Sequence, residues 1–339
     1  MLIDIKKKII NEKEVSFITI KNEVGFETCL VDYGAAIYYI SYPDRKGDVG
    51  RVTTCPLDVQ EFLESGAFYG KTVGRVAGRI ADGKATINGK EYNFEVNEGK
   101  NTLHGGFSSW AFRFFNYEVK VSKTKVDIIF SLKSRDGEGG FPGNVDVKTI
   151  YTIYETKKEI SIRFKAKPDQ TTFINMTNHI YINLNGGAGP IYDQQLYLRS
   201  SKVASFDDGL IILDMIPTPS YLDYSTPTPL GKNIRHPILM NHRSGGMDHV
   251  FAFDGINKNL PSATLYDPYT KRKMSVYTNF PGIIIYCDNY PSRKLNLANV
   301  VDNENYGLTF ETVIPNFNLD DITFSPDKPF DYFVKYKFN

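Results

Sequence analysis

The chain has five histidines, at 104, 179, 236, 242 and 249, few enough to weigh by their settings. His179 falls within the stretch from Phe173 to Leu184. Period-two alternation there puts Thr177, His179, Tyr181 and Asn183 on one face of an expected strand and Ile180, Ile182 and Leu184 on the other. Four hydrogen-bonding side chains with few charges nearby read as a floor for a polar ligand, because a solvated face would carry Lys and Glu. His104 precedes Gly105 and Gly106, which let backbone and ligand approach closely, though alone it also fits a turn-capping histidine. Asp248 follows Gly245-Gly246-Met247 and precedes an apolar strand, at a sheet rim of the kind where sites are built. Glu311 alternates with Phe310 and shares a face with Thr309 and Val313. Arg75 and Arg79 flank Val76-Ala77-Gly78. Arginine suits a partner with several oxygens and equally suits a structural ion pair.

Two histidines, two carboxylates and an arginine support three chemistries. A mononuclear metal site takes two His and two carboxylates. A glycoside hydrolase uses the carboxylate pair. A proton-transfer enzyme sets a carboxylate base against a histidine acid. No two histidines have the His-x-His or short helical spacing common in metal sites, and in a glycosidase the histidines have no role.

The elements that must position these residues read as strands. Phe (23) and Tyr (22) are abundant in the 339 residues and favour strands, and short alternating segments are punctuated by turn pairs. Asn88-Gly89, between Ala85–Ile87 and Lys90–Phe94, predicts a type I′ hairpin, since both residues tolerate positive φ. Further hairpins are expected between Tyr117–Val121 and Val126–Leu132, and between Val145–Tyr154 and Ile160–Lys165. Leu57–Glu64 is the best helix, with Pro56 before it and Gly66 after it. Ile216–Leu230, with four prolines, is expected as a long surface loop within one domain. The Gly-Gly pairs do not open a strand–turn–helix unit, so a dinucleotide or P-loop reading fails.

Lys+Arg number 40 and Asp+Glu 39, for a net charge of +1. Binding to nucleic acid needs a basic surplus or stripe, and Lys6-Lys7-Lys8 and Lys271-Arg272-Lys273 are too short to supply one. Cys29, Cys55 and Cys287 are odd in number and form no CxxC, which argues against disulfide and zinc frameworks and fits a reducing compartment. The N-terminus shows no apolar signal segment, and the longest apolar run, Ile283 to Cys287, is far shorter than the ~20 residues of a membrane helix. The expectation is a cytoplasmic protein without a membrane or nucleic-acid partner.

Six stretches carry a resemblance: Thr72 to Ile80, Asn101 to Gly106, Ser134 to Gly143, Thr177 to Gly186, Gly246 to His249, and Leu308 to Thr312. In this order and spacing the chain resembles the aldose 1-epimerases, or galactose mutarotases. The resemblance implies an all-β fold, one large β-sandwich domain over residues 1–339, with a sugar cleft on the concave face of a sheet. It implies anomer interconversion of a free hexose, with no metal or organic cofactor, by a monomer or homodimer. Relatives of this fold also act on hexose 6-phosphates, and a sugar-binding protein without catalysis is the further alternative. By the same resemblance Glu311 is the base, His179 the acid at the ring oxygen, and His104 a further donor there. Arg79 and Asp248 clamp hydroxyls, and Tyr286 is the aromatic closing the late apolar strand. One departure is Gly78, where many members have Asn, so an amide contact to a sugar hydroxyl is missing.

Overall fold

The computed structural model describes all residues except 57, 242, 291–295, 298–299, 302–304 and 316–317; side chains at 296–297 and 300–301 are also outside the description. Leu57 of the expected helix and His242 therefore lie outside the described residues. Strands make up 48% of the chain, and the described α-helices are three short ones. None of the described helices is long and apolar enough to cross a membrane.

A nine-stranded antiparallel sheet forms the base. Its order is Asn116–Val121, Lys125–Ser134, Val145–Tyr154, Glu159–Pro168, Phe330–Phe338, Lys273–Thr278, Ala263–Tyr266, Gln195–Leu198 and Thr228–Pro229. Val145, Val147, Thr149, Tyr151 and Ile153 are buried while the residues between them are more exposed, the alternation of a sheet with one covered face. That face joins a large core running from Ile18 to Phe338, so both ends of the chain contribute to one core. A five-stranded sheet at the N-terminus orders its strands as in the chain, from Leu2–Ile10 to Val49–Arg51. A second five-stranded sheet, in the order Ile212–Pro217, Lys202–Phe206, Asp248–Ala252, Gly282–Tyr286 and Glu311–Val313, carries three of the candidate site residues.

The expected hairpins form. Ile87 pairs with Lys90, and Asn88 (φ 51°) and Gly89 (φ 78°) both take the positive φ of a type I′ turn. Val121 pairs with Val126, and Val145–Tyr154 pairs with Glu159–Pro168. The helix runs over Val59–Glu64, started by the Asp58 side chain accepting from the Glu61 N–H, so the capping residue rather than Pro56 sets its start. Ile216–Leu230 is not a structureless loop. Strand Ile212–Pro217 runs into it, a 3₁₀ turn spans Ser220–Leu222, and Thr228–Pro229 forms the edge of the large sheet. Its prolines sit where a missing N–H is tolerated.

Phe173–Leu184 is also not one strand. Thr177–Asn178 pairs with Thr72–Val73, whereas Tyr181–Ile182 pairs with Leu308–Thr309. Between them, at His179, the backbone instead bonds Lys71 and Gly70 (His179 N–H to Lys71 O, 2.9 Å; Gly70 N–H to His179 O, 2.9 Å). Ile180, Ile182 and Leu184 enter the core as alternation expects, while the ladder partner changes past His179.

Candidate active site

Two phenols of the large sheet fix the two central residues. Tyr151 accepts from Asn178 Nδ2 at 3.1 Å and donates to the Ala35 carbonyl at 2.6 Å, which holds the Asn178 side chain next to His179. Tyr336 donates to the Phe310 carbonyl at 3.0 Å and pins the backbone next to Glu311. Phe310 itself is buried in the core, so Glu311 points the opposite way. The pairing of Tyr181 with Thr309 closes the gap between the two segments. His179 Nε2 then lies 3.2 Å from Glu311 Oε1, with both side chains almost wholly buried.

His104 arrives from another turn. Leu103 pairs with Arg79, and past it His104 takes a left-handed backbone (φ 51°), a conformation uncommon for a non-glycine residue. Gly105 is required here, because a Cβ would stand 2.3 Å from the Gly74 carbonyl. His104 Nδ1 accepts the Gly78 N–H at 3.2 Å. The same pairing sets Arg79, whose Nε and Nη2 fork onto Glu98 at 2.6 and 2.8 Å while Nη1 lies 3.8 Å from Asp248. Asp248 is opposite Tyr286, and Ile284 opposite Glu311, across adjacent strands. All six expected site residues thus line one cleft of about 670 Å³, together with Phe68, Gly78, Glu98, Tyr181 and Tyr290. Of the expected polar floor, His179 and Tyr181 face this cleft. Asn183 instead ties the backbone carbonyls of Gly189 and Tyr306.

The deepest groups favour their neutral forms. Burial, and then the neighbouring charge of Asp248, raise the Glu311 carboxyl well above the usual carboxylate range; the Thr309 hydroxyl and Arg79 act the other way. Burial pushes His179 down to about 3. His104 is lowered well below the ordinary histidine value by burial, then by His179 and Arg79. Glu311 and His179 titrate as a pair, and over a broad range that pair holds one proton.

Donor atoms of His104, His179 and Glu311 all lie within 4.8 Å of one another, so residues far apart in the chain do form a set of metal-ligand types. The His104 tautomer does not fit a metal. Its Nδ1 accepts an N–H, so the proton sits on Nε2, whereas a ligating histidine offers a bare nitrogen and donates its other N–H to an oxygen. Activity is therefore expected to survive dialysis against a strong chelator. A loss that added Zn²⁺ restores would contradict this.

Sequence reasoning missed Phe68 and Glu98. Phe68 (φ 57°) covers both histidines, with ring centroids 5.0 Å from His104 and 5.8 Å from His179. No sequence signal marks a phenylalanine for a left-handed backbone. Glu98 lies three residues before the Asn101 to Gly106 stretch and could have been found by asking which carboxylate holds Arg79. Arg75 is structural. It is buried and donates to the carbonyls of Arg135, Pro142 and Gly143 and to Ser134.

A β-sandwich bearing a buried carboxylate–histidine pair beneath a polar rim is a scaffold for acid–base chemistry. The aldose 1-epimerase family model matches residues 16–337, and the chain belongs to that family. It is 32% identical over 264 residues to the galactose mutarotase of Bos taurus, covering 77% of this chain and 74% of that protein. It is 28% identical over 285 residues to the aldose 1-epimerase of Escherichia coli K12, covering 81% and 80%. The fold matches that of a galactose 1-epimerase from Lactobacillus acidophilus NCFM with a TM-score of 0.89, at 23% identity, over 100% of this chain and 98% of that one.

Proposed function

We propose that the protein interconverts the α and β anomers of a free hexose such as galactose or glucose. The observation that carries this reading is the 3.2 Å approach of His179 to Glu311 at the most buried part of the cleft. Ring opening requires a base for the C1 hydroxyl and an acid for the ring oxygen. Transfer of the shared proton from Glu311 to His179 across their 3.2 Å contact sets up the reactive form; Glu311 then takes the O1 proton, the C1–O5 bond breaks as C1=O1 forms, and His179 gives its proton to O5. The pair then stands as a neutral carboxylic acid and a neutral imidazole, the forms that burial favours. A dry pocket of this kind stabilises the open-chain stage relative to the ion pair that precedes it. The aldehyde turns about C1–C2 and closes on its other face. His179 then removes the O5 proton and Glu311 returns one to O1. One proton serves both halves. His104, neutral and protonated on Nε2, donates toward the ring oxygen.

Arg79 and Asp248 present a donor and an acceptor to the ring hydroxyls, with Arg79 held rigid by its fork onto Glu98. Such positioning acts on ground and transition states alike. Asp248→Ala is therefore expected to raise KM for galactose by roughly tenfold or more with a smaller change in kcat. Steady-state kinetics by polarimetry check this, and a loss confined to kcat would contradict it.

The wall also supports a free sugar over a phosphorylated one. Glu61, Glu64, Glu98, Asp248 and Glu311 line the cleft with Arg79 the one lysine or arginine among the described lining residues. A phosphate dianion needs several converging donors. kcat/KM for galactose is expected to exceed that for galactose 6-phosphate by at least about tenfold, or about 1.4 kcal/mol. A higher value for the 6-phosphate would overturn the free-hexose assignment.

A further inference from the structure

Lys71 is fully buried and takes no part in the chemistry above. Its Nζ donates to the carbonyls of Leu63 (3.2 Å) and Ser65 (3.3 Å), at the C-terminus of helix Val59–Glu64. Those carbonyls have no partner within the helix and need a donor. The ammonium lies 5.0, 5.3 and 5.4 Å from the ring centroids of Phe112, Tyr33 and Phe62, a cage whose ring faces attract a cation. Its backbone works in the other direction: Lys71 N–H donates to the Phe68 carbonyl, and the His179 N–H donates to the Lys71 carbonyl, both at 2.9 Å. One residue thus holds the outer wall of the cleft with its side chain and the histidine floor with its main chain. A methionine would fill the aromatic cage equally well and leave both helix carbonyls unmet.

We propose that Lys71 is a positioning residue for the sugar cleft, its ammonium fixing the wall from Glu61 to Phe68 against the His104–His179 floor before sugar arrives. The proposal rests on the cleft being the hexose site, and the wild-type enzyme's activity on galactose tests that reading separately. The titratable or charged groups on the elements packed around Lys71 include Tyr33, Glu61, Glu64, Tyr69, Cys55 and Arg113. Burial pushes the amine down to about 7, while the two carbonyls and the three ring faces act the other way. Its charge is therefore present below about pH 7 and lost above it.

The test is KM and kcat for galactose in wild type, Lys71→Met and Lys71→Arg from pH 6 to 8.5. At pH 6.5 Lys71→Met is expected to raise KM about tenfold with kcat changed less than about twofold, the signature of lost uniform binding. Lys71→Arg keeps a charge and donors, so it is expected to stay within about threefold of wild type. It is also expected to weaken any rise in KM of wild type above pH 7. A KM for Lys71→Met equal to that of wild type would overturn the proposal. Should Lys71→Met fail to fold, amide hydrogen exchange in the wild-type chain decides. Protection at residues 61–68, corrected for intrinsic rate, is expected to fall between pH 6 and 8, and unchanged protection would overturn the proposal.

Discussion

Glu311→Gln is expected to lower kcat for anomerisation of α-galactose by ~10²–10⁴-fold, the usual contribution of a positioned general base. The amide preserves shape and hydrogen bonding and removes only the capacity to accept the O1 proton, so KM should change little. The same substitution is expected to stabilise the empty protein. The folded-state pKa of Glu311 is raised by burial. Its contribution to stability is therefore fully present below the unfolded-state value of about 4.5 and is lost as pH rises toward the folded value. The melting temperature of Glu311→Gln should thus exceed that of wild type at pH 7 and match it near pH 4. A kcat near wild type in this variant would sink the mechanism, whatever its stability.

His179→Asn is expected to cost a comparable ~10²–10⁴-fold in kcat, because asparagine can hydrogen-bond the ring oxygen but cannot carry a proton to it. The two residues share one proton across a 3.2 Å contact, so they act as a unit. The double variant should lose less than the product of the single losses. The shared proton also sets the pH profile. Activity should fall in acid as the pair gains a second proton, an event held well below the ordinary histidine range by the burial of His179. It should fall in base as the pair loses its only proton, an event held above the ordinary carboxylate range by the burial of Glu311. Both limbs belong to the pair and should disappear together in the double variant. Losses that multiply across the single variants would mean that the two groups act in separate steps.

The strands were legible because their signals are local. Alternation and the Asn88-Gly89 turn need only a few neighbouring residues; the first forecast hairpins of the large sheet and the second a separate two-stranded hairpin. The convergence of His104, His179, Asp248 and Glu311 on one cleft was legible through short motifs, although they are 75, 69 and 63 positions apart in succession. The break at His179 was not. Alternation says which way side chains point and nothing about which strand supplies the hydrogen bonds, and there the partner changes from Thr72–Val73 to Leu308–Thr309. The anchors were hidden for the same reason. Tyr151 and Tyr336 look like ordinary core tyrosines, and only the folded register shows their hydroxyls holding the Asn178 side chain beside His179 and the Phe310 carbonyl beside Glu311. Glu98 and Lys71 act through contacts made by tertiary packing, and a lysine with no carboxylate beside it has no sequence signature of burial.

The most direct measurement is the optical rotation of freshly dissolved α-galactose followed with and without a catalytic amount of wild-type protein at pH 7. The rotation is expected to relax to the same equilibrium value in both, and far faster with protein, at a rate proportional to its concentration. A relaxation rate indistinguishable from the uncatalysed one would contradict the assignment of this cleft to hexose anomerisation.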